Sequence, residues 1–139
     1  MRLVLAVATA VAAVGALGAC GGHGSDDAAE ARRTAVAWLS ALAESDGRGA
    51  CVLLAPELAA QAEPSCEAIY GGYGEALGET LGAAGLSVDD VVADDGAALH
   101  VSVDGERATV TLPGEAFRPL ELRLTDEGWR VASGLRAAQ

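Results

Sequence analysis

Residues 97–112 read AALHVSVDGERATVTL, and this stretch decides the fold. Leu99, Val101 and Val103 alternate with His100 and Ser102, the period of a half-buried strand. Asp104-Gly105 is a strong hairpin signal. After it, Ala108, Val110 and Leu112 fall on the inward positions of a second strand that starts at Arg107. Two strands that turn apolar faces the same way across a tight turn make an antiparallel hairpin, one face for a core and one for water.

On its C-terminal side, Pro113-Gly114 turns the chain, and Phe117 to Leu124 sets Leu120, Leu122 and Leu124 inward against Glu121 and Arg123. Thr125 to Gly128 turns again, and Trp129 to Ala132 closes the sheet with Trp129 and Val131 on one face. On its N-terminal side, Leu86 to Ala93 reads as an additional strand, ended by Asp94-Asp95-Gly96. Upstream of Leu86 the apolar period changes from two to about four, and the chain becomes helical.

The first helix opens on Asp27 as a cap, with Glu30 three residues on as a variant capping box. Ala31, Ala35, Trp38, Leu39 and Leu42 share one face, and Gly47 ends the helix. Ala50 to Ala55 reads as a helical turn. Pro56 suits the first position of a short helix to Ala62, for which Ala55 is a poor cap. Ser65 opens a third helix with Ile69, Tyr73, Leu77 and Leu81 as its apolar stripe. Gly74, Gly78 and Gly82 recur in the same helix, either as a smooth packing face or as compositional drift. Helices first and a meander after predict an α+β fold in two layers, the helices on one face of the sheet.

The N-terminus carries a different message. Arg2 precedes an uncharged apolar run from Leu3 to Ala19, the pattern of a secretory signal. The run ends in Leu17-Gly18-Ala19-Cys20, which resembles the lipobox of bacterial lipoprotein precursors. That resemblance implies a diacylglycerol thioether on Cys20 and cleavage just before it. Two acyl chains suffice for stable anchoring, at ~0.8 kcal/mol per buried CH₂. A plain secretory signal cut nearby and a permanent membrane anchor are the competing readings. The expected organisation is a signal peptide at 1–19, a glycine-rich tether at 20–27 and one domain at 28–136, held at the extracytoplasmic face of the cell membrane through lipid on Cys20.

Nine basic residues stand against twenty acidic ones, a formal charge of −11, and the basic patch that nucleic-acid binding needs is not evident. Of three cysteines, lipidation of Cys20 leaves Cys51 and Cys66 as an even pair in an oxidising compartment. A bridge closing about 15 residues would stabilise the fold by ~3 kcal/mol. Two buried free thiols are the alternative.

Ala35-Val36-Ala37-Trp38-Leu39-Ser40-Ala41-Leu42 is followed by Ser45-Asp46-Gly47, and then by Ala50-Cys51 with Leu53-Leu54-Ala55-Pro56. Cys66 and the closing Gly128-Trp129-Arg130-Val131 complete the set. With these motifs the chain, from about Ala31 to Gly134, resembles small NTF2-like lipoproteins of high-GC Gram-positive bacteria. The resemblance implies a cone, a curved antiparallel sheet with helices on its concave side. A pocket there would be lined by Trp38, Tyr70, Tyr73, Phe117 and Trp129.

Catalytic signals are sparse. Two distant histidines and a bridged cysteine pair offer no metal site, and Asp89-Asp90 with Asp94-Asp95 lacks the alternating acidic pattern of a calcium loop. Gly71, Gly72 and Gly74 do not complete a phosphate-binding fingerprint, since Leu77 stands at its third glycine. A serine–histidine pair would need His100, which sits on the polar side of its strand and reads as an exposed histidine. No cofactor, metal or nucleic acid is expected. The sequence therefore favours a non-catalytic envelope lipoprotein that binds a protein partner or an apolar ligand. A small-molecule enzyme using a pocket tyrosine or carboxylate is the alternative.

Overall fold

The computed structural model describes residues 22–138. Six helices precede four strands: α1 (Gly22–Ala43), α2 (Gly47–Val52), α3 (Pro56–Ala62), α4 (Cys66–Gly71), α5 (Tyr73–Ala83), α6 (Val88–Gly96), β1 (His100–Asp104), β2 (Arg107–Thr111), β3 (Leu120–Thr125) and β4 (Gly128–Val131). The strands form an open antiparallel meander in the order β1-β2-β3-β4. The fold is α+β.

The hairpin forms where the alternation placed it. Asp104 pairs with Arg107 across a two-residue turn, and Gly105 there has a φ of 61°. Glycine reaches that conformation without a Cβ penalty. Inward side chains of the sheet, among them Val110, Leu120, Leu122 and Val131, are fully buried. Helix α1 lies across them, packed on β1, β2 and β4 through Ala31, Ala35, Trp38, Leu39 and Leu42. Thr34 on α1 donates its hydroxyl to the Trp129 carbonyl at 3.3 Å.

Several elements differ from the sequence reading. The segment 86–93 is not a strand. Ser87 caps α6: its Oγ accepts from the Asp90 amide, while the Asp90 carboxylate accepts from the Ser87 amide at 3.0 Å. Val88, Val91 and Val92 then fall at helical spacing, with Val91 buried and the other two packed against the core. The sheet therefore has four strands. The residues of the expected tether from Gly22 to Asp27 lie inside α1, so Asp27 is not its cap. Gly47 starts α2 instead of merely ending α1, because the Asp46 carboxylate accepts from the Gly49 amide at 2.9 Å. The third predicted helix breaks at Gly72 into α4 and α5. That break changes the helical phase: Tyr70, not Ile69, turns inward, and Ile69 is 43% exposed.

Cys51 on α2 and Cys66 on α4 are joined as a disulfide, with Cα atoms 6.2 Å apart. The two helices approach so closely that a Cβ on Gly47 would lie within 1.9 Å of the Glu67 carbonyl oxygen. The outer edge of β4 is covered by the chain between α2 and α3. There the Val131 amide donates to Leu53 at 2.8 Å, and the Ala55 amide donates to Val131 at 2.7 Å. Cys20 and the signal-like segment 1–19 lie outside the described residues. Among the described residues, no helix is long and apolar enough to cross a membrane.

Candidate functional site

The five aromatic residues expected to line one pocket do not converge on one. Trp38 is fully buried and meets Tyr70 edge-on, with ring centroids 6.1 Å apart. Tyr70 in turn stacks on Tyr73 at 5.3 Å. These three make a chain of rings from the core to the surface, where Tyr73 is 37% exposed. Trp129 is buried in the sheet, and its carbonyl accepts from Thr34 and from Arg130. Phe117 lies outside the strands, half-buried, in a short antiparallel bridge with Ala137. The rings fill the space between helices and sheet, as close packing of a small core requires. Burial, and after it the neighbouring Tyr73, raises the Tyr70 pKa above that of an ordinary tyrosine.

The accessible chemistry is on the other side of the sheet. Alternation turns Arg107, Thr109, Glu121 and Arg123 outward. The register then aligns them across strands: Asp104 opposite Arg107, Arg107 opposite Arg123, Arg123 opposite Arg130. Ser102, Thr109 and Glu121 form the adjacent row. Neighbouring strands are ~4.8 Å apart, so three guanidinium-bearing residues stand within about 10 Å along one line. Like charges directly opposite one another destabilise a sheet by roughly 0.2–1 kcal/mol per pair.

Carboxylates partly balance this row from outside the sheet. Glu57 at the start of α3 accepts a hydrogen bond from Arg123, and that bond holds the Glu57 carboxyl below the usual carboxylate range. Glu127 lies 3.9 Å from Arg130. Arg107 has Asp104 as its cross-strand neighbour. A groove of about 380 Å³ runs over this surface between Ser102, Asp104, Arg107, Thr109, Glu121 and Arg123. Beside it, a second groove of about 420 Å³ is lined by Thr109, Arg118, Glu121, Ser133 and Arg136. Arg107, Arg118, Arg123 and Arg136 thus line two grooves on one face of an acidic chain, while Arg130, next in the register row, lines a separate groove with Glu30, Arg33 and Thr34 of α1.

Sequence alternation already put Arg107 and Arg123 outward. It did not show that they face each other, because the register between β2, β3 and β4 depends on loop lengths. His100 is exposed at the start of β1 on the same face. Comparison with protein-family models, with curated proteins and with solved structures found no match to this chain.

Chemically, the arginine row suits binding more than bond breaking. Guanidinium groups stay protonated and cannot act as general bases, yet their planar forks match carboxylates in bidentate geometry. Among the described residues, no group of three or more metal-ligating side chains comes together.

Proposed function

We propose that this chain is a lipid-anchored envelope lipoprotein of NTF2-like build, held at the extracytoplasmic face of the membrane, whose domain is a non-catalytic binding module. Its partner is a protein, and its binding surface is the outer face of the sheet. The observation that carries this reading is the in-register row Arg107, Arg123 and Arg130. A row of like charges costs stability on its own, and an acidic partner segment turns that cost into attraction. The filled interior supports a protein partner over an apolar ligand: Trp38, Leu42, Leu122 and Trp129 already occupy the space between the layers. The lipobox-like Leu17-Gly18-Ala19-Cys20 supports the location. The element order, helices and then a meander crossed by α1, supports the NTF2-like build.

A labelled peptide of alternating Glu and Thr serves as the probe. The full-length chain in detergent should bind it, with an affinity that falls as salt is raised. Replacing Arg107 and Arg130 together by Ser should weaken binding by about tenfold or more, since each charged contact contributes on the order of 1 kcal/mol. Equal binding by the wild type and the double variant would overturn the assignment of this face.

A further inference from the structure

We propose that two copies of this chain pair antiparallel through the edge of β1, joining their sheets into one. The proposal is independent of what the arginine row binds.

It starts from the hydrogen-bond alternation. The Leu124 amide donates to the Glu106 carbonyl, so on β2 the even-numbered positions bond toward β3. The odd-numbered positions Arg107, Thr109 and Thr111 therefore bond toward β1, where their partners are Asp104, Ser102 and His100. The intervening Val101 and Val103 point their amide and carbonyl groups away from the sheet. Among the described residues these four groups have no partner. The far edge of the sheet is treated differently, since Leu53 to Ala55 cover β4. An uncovered edge is a template for another strand.

The sequence of β1 specifies which strand fits. Placing a two-fold axis at Ser102 pairs Val101 of one copy with Val103 of the other, and Val103 with Val101. All four outward backbone groups of each copy are then bonded. Shifting the axis to Val101 or Val103 leaves some of them unpaired. In the Ser102-centred register His100 faces Asp104 of the second copy, twice over. These are non-hydrogen-bonded pairs, in which side chains approach most closely, and a histidine opposite a carboxylate is a favourable cross-strand pair. Val101 and Val103, only partly buried in one copy, gain cover from each other. The strand is therefore self-complementary in backbone, charge and apolar face. A five-residue edge buries less than the ~1,200 Å² of a standard interface, so the pair is weak and is best sought at high concentration.

Ser102→Cys is the direct test on the full-length chain in detergent, in a Cys20→Ser background so that the introduced thiol is the only free one. Across the axis the two Ser102 Cα atoms approach to within the range that a disulfide spans. Mild oxidation should convert most of Ser102→Cys into a covalent dimer, and much less of Thr109→Cys, one strand further in. Sedimentation of the wild type at several hundred micromolar, well above the concentration a weak interface of this size needs, should show a dimer. Val101→Pro removes one outward amide without touching the hairpin ladder and should abolish it. His100→Asp should weaken the dimer, and adding Asp104→His should restore it. Equal crosslinking of Ser102→Cys and Thr109→Cys, or a dimer unaffected by Val101→Pro, would overturn the proposal.

Discussion

At the scale of single residues, the glycines of α5 share a spacing but not a role. A methyl group on Gly74 would sit 2.2 Å from the Leu42 carbonyl oxygen, against backbone that cannot move aside. Gly78 and Gly82 have open space where a Cβ would go. Gly74→Ala is therefore expected to destabilise, by roughly 1–3 kcal/mol as in other overpacked sites. Gly78→Ala and Gly82→Ala should each stabilise by up to ~1 kcal/mol through helix propensity and loss of unfolded-state freedom. Urea unfolding of the three variants separates the cases, and a uniform sign across them would sink the distinction. Tyr70 allows a second expectation. Its folded-state pKa lies above the ordinary value of 10.0, with burial as the first cause. The folded state thus favours the neutral phenol. That preference costs nothing below the unfolded pKa, and stability falls as pH rises from there through the folded value. Alkaline unfolding followed by far-UV circular dichroism should begin at higher pH in Tyr70→Phe than in the wild type, both referenced to their stability at neutral pH.

Elements show which parts of the fold were legible in the sequence. The β1–β2 hairpin and β3 could be read because one inward and one outward residue alternate, and the turn residues between them have no other use. Segment 86–93 misled because Val88, Val91 and Val92 fit a helix as well as a short apolar strand, and only the ends decide. Ser87 with Asp90 three residues on is a capping box with aspartate in place of the usual glutamate or glutamine. Ser87→Ala should cost about 1 kcal/mol. Hydrogen exchange at Val91 and Val92 should quicken in that variant while β2 and β3 stay protected; unchanged exchange in α6 would mean that packing of Val91 alone holds the helix. The aromatic rings take their places for a related reason. A single helix through residues 66–83 would have aligned Ile69 with Tyr73, whereas the break at Gly72 gives α4 a phase of its own and sends Tyr70 into the core beside Trp38. The arginine row was half legible: alternation fixes which face Arg107 and Arg123 occupy, but the alignment with Arg130 needs the β3–β4 register.

For the whole molecule, the distribution of charge and the start of α1 bear on how the domain meets a membrane. The helices carry exposed carboxylates, including Glu30, Glu67, Glu75, Glu79 and Asp89, while Arg107, Arg118, Arg123 and Arg136 line grooves on the outer face of the sheet. On that outer face the arginines alternate with Asp104 and Glu121, within an overall charge of −11. Helix α1 is 22 residues long, about 33 Å at 1.5 Å per residue, and its packing on the sheet starts at Ala31. Its first turns precede that packing, and in sequence Gly21 alone separates α1 from Cys20. A lipid on Cys20 would thus be attached two residues before the start of α1. The expected outcome for native protein extracted from membranes is an N-terminal Cys20 carrying a diacylglycerol thioether, read directly by mass spectrometry. Cys20→Ser removes the thiol that would carry the lipid, so the same measurement on that variant should show no lipid-modified N-terminus. A mature chain that begins at another residue would rule out anchoring by lipid at this position.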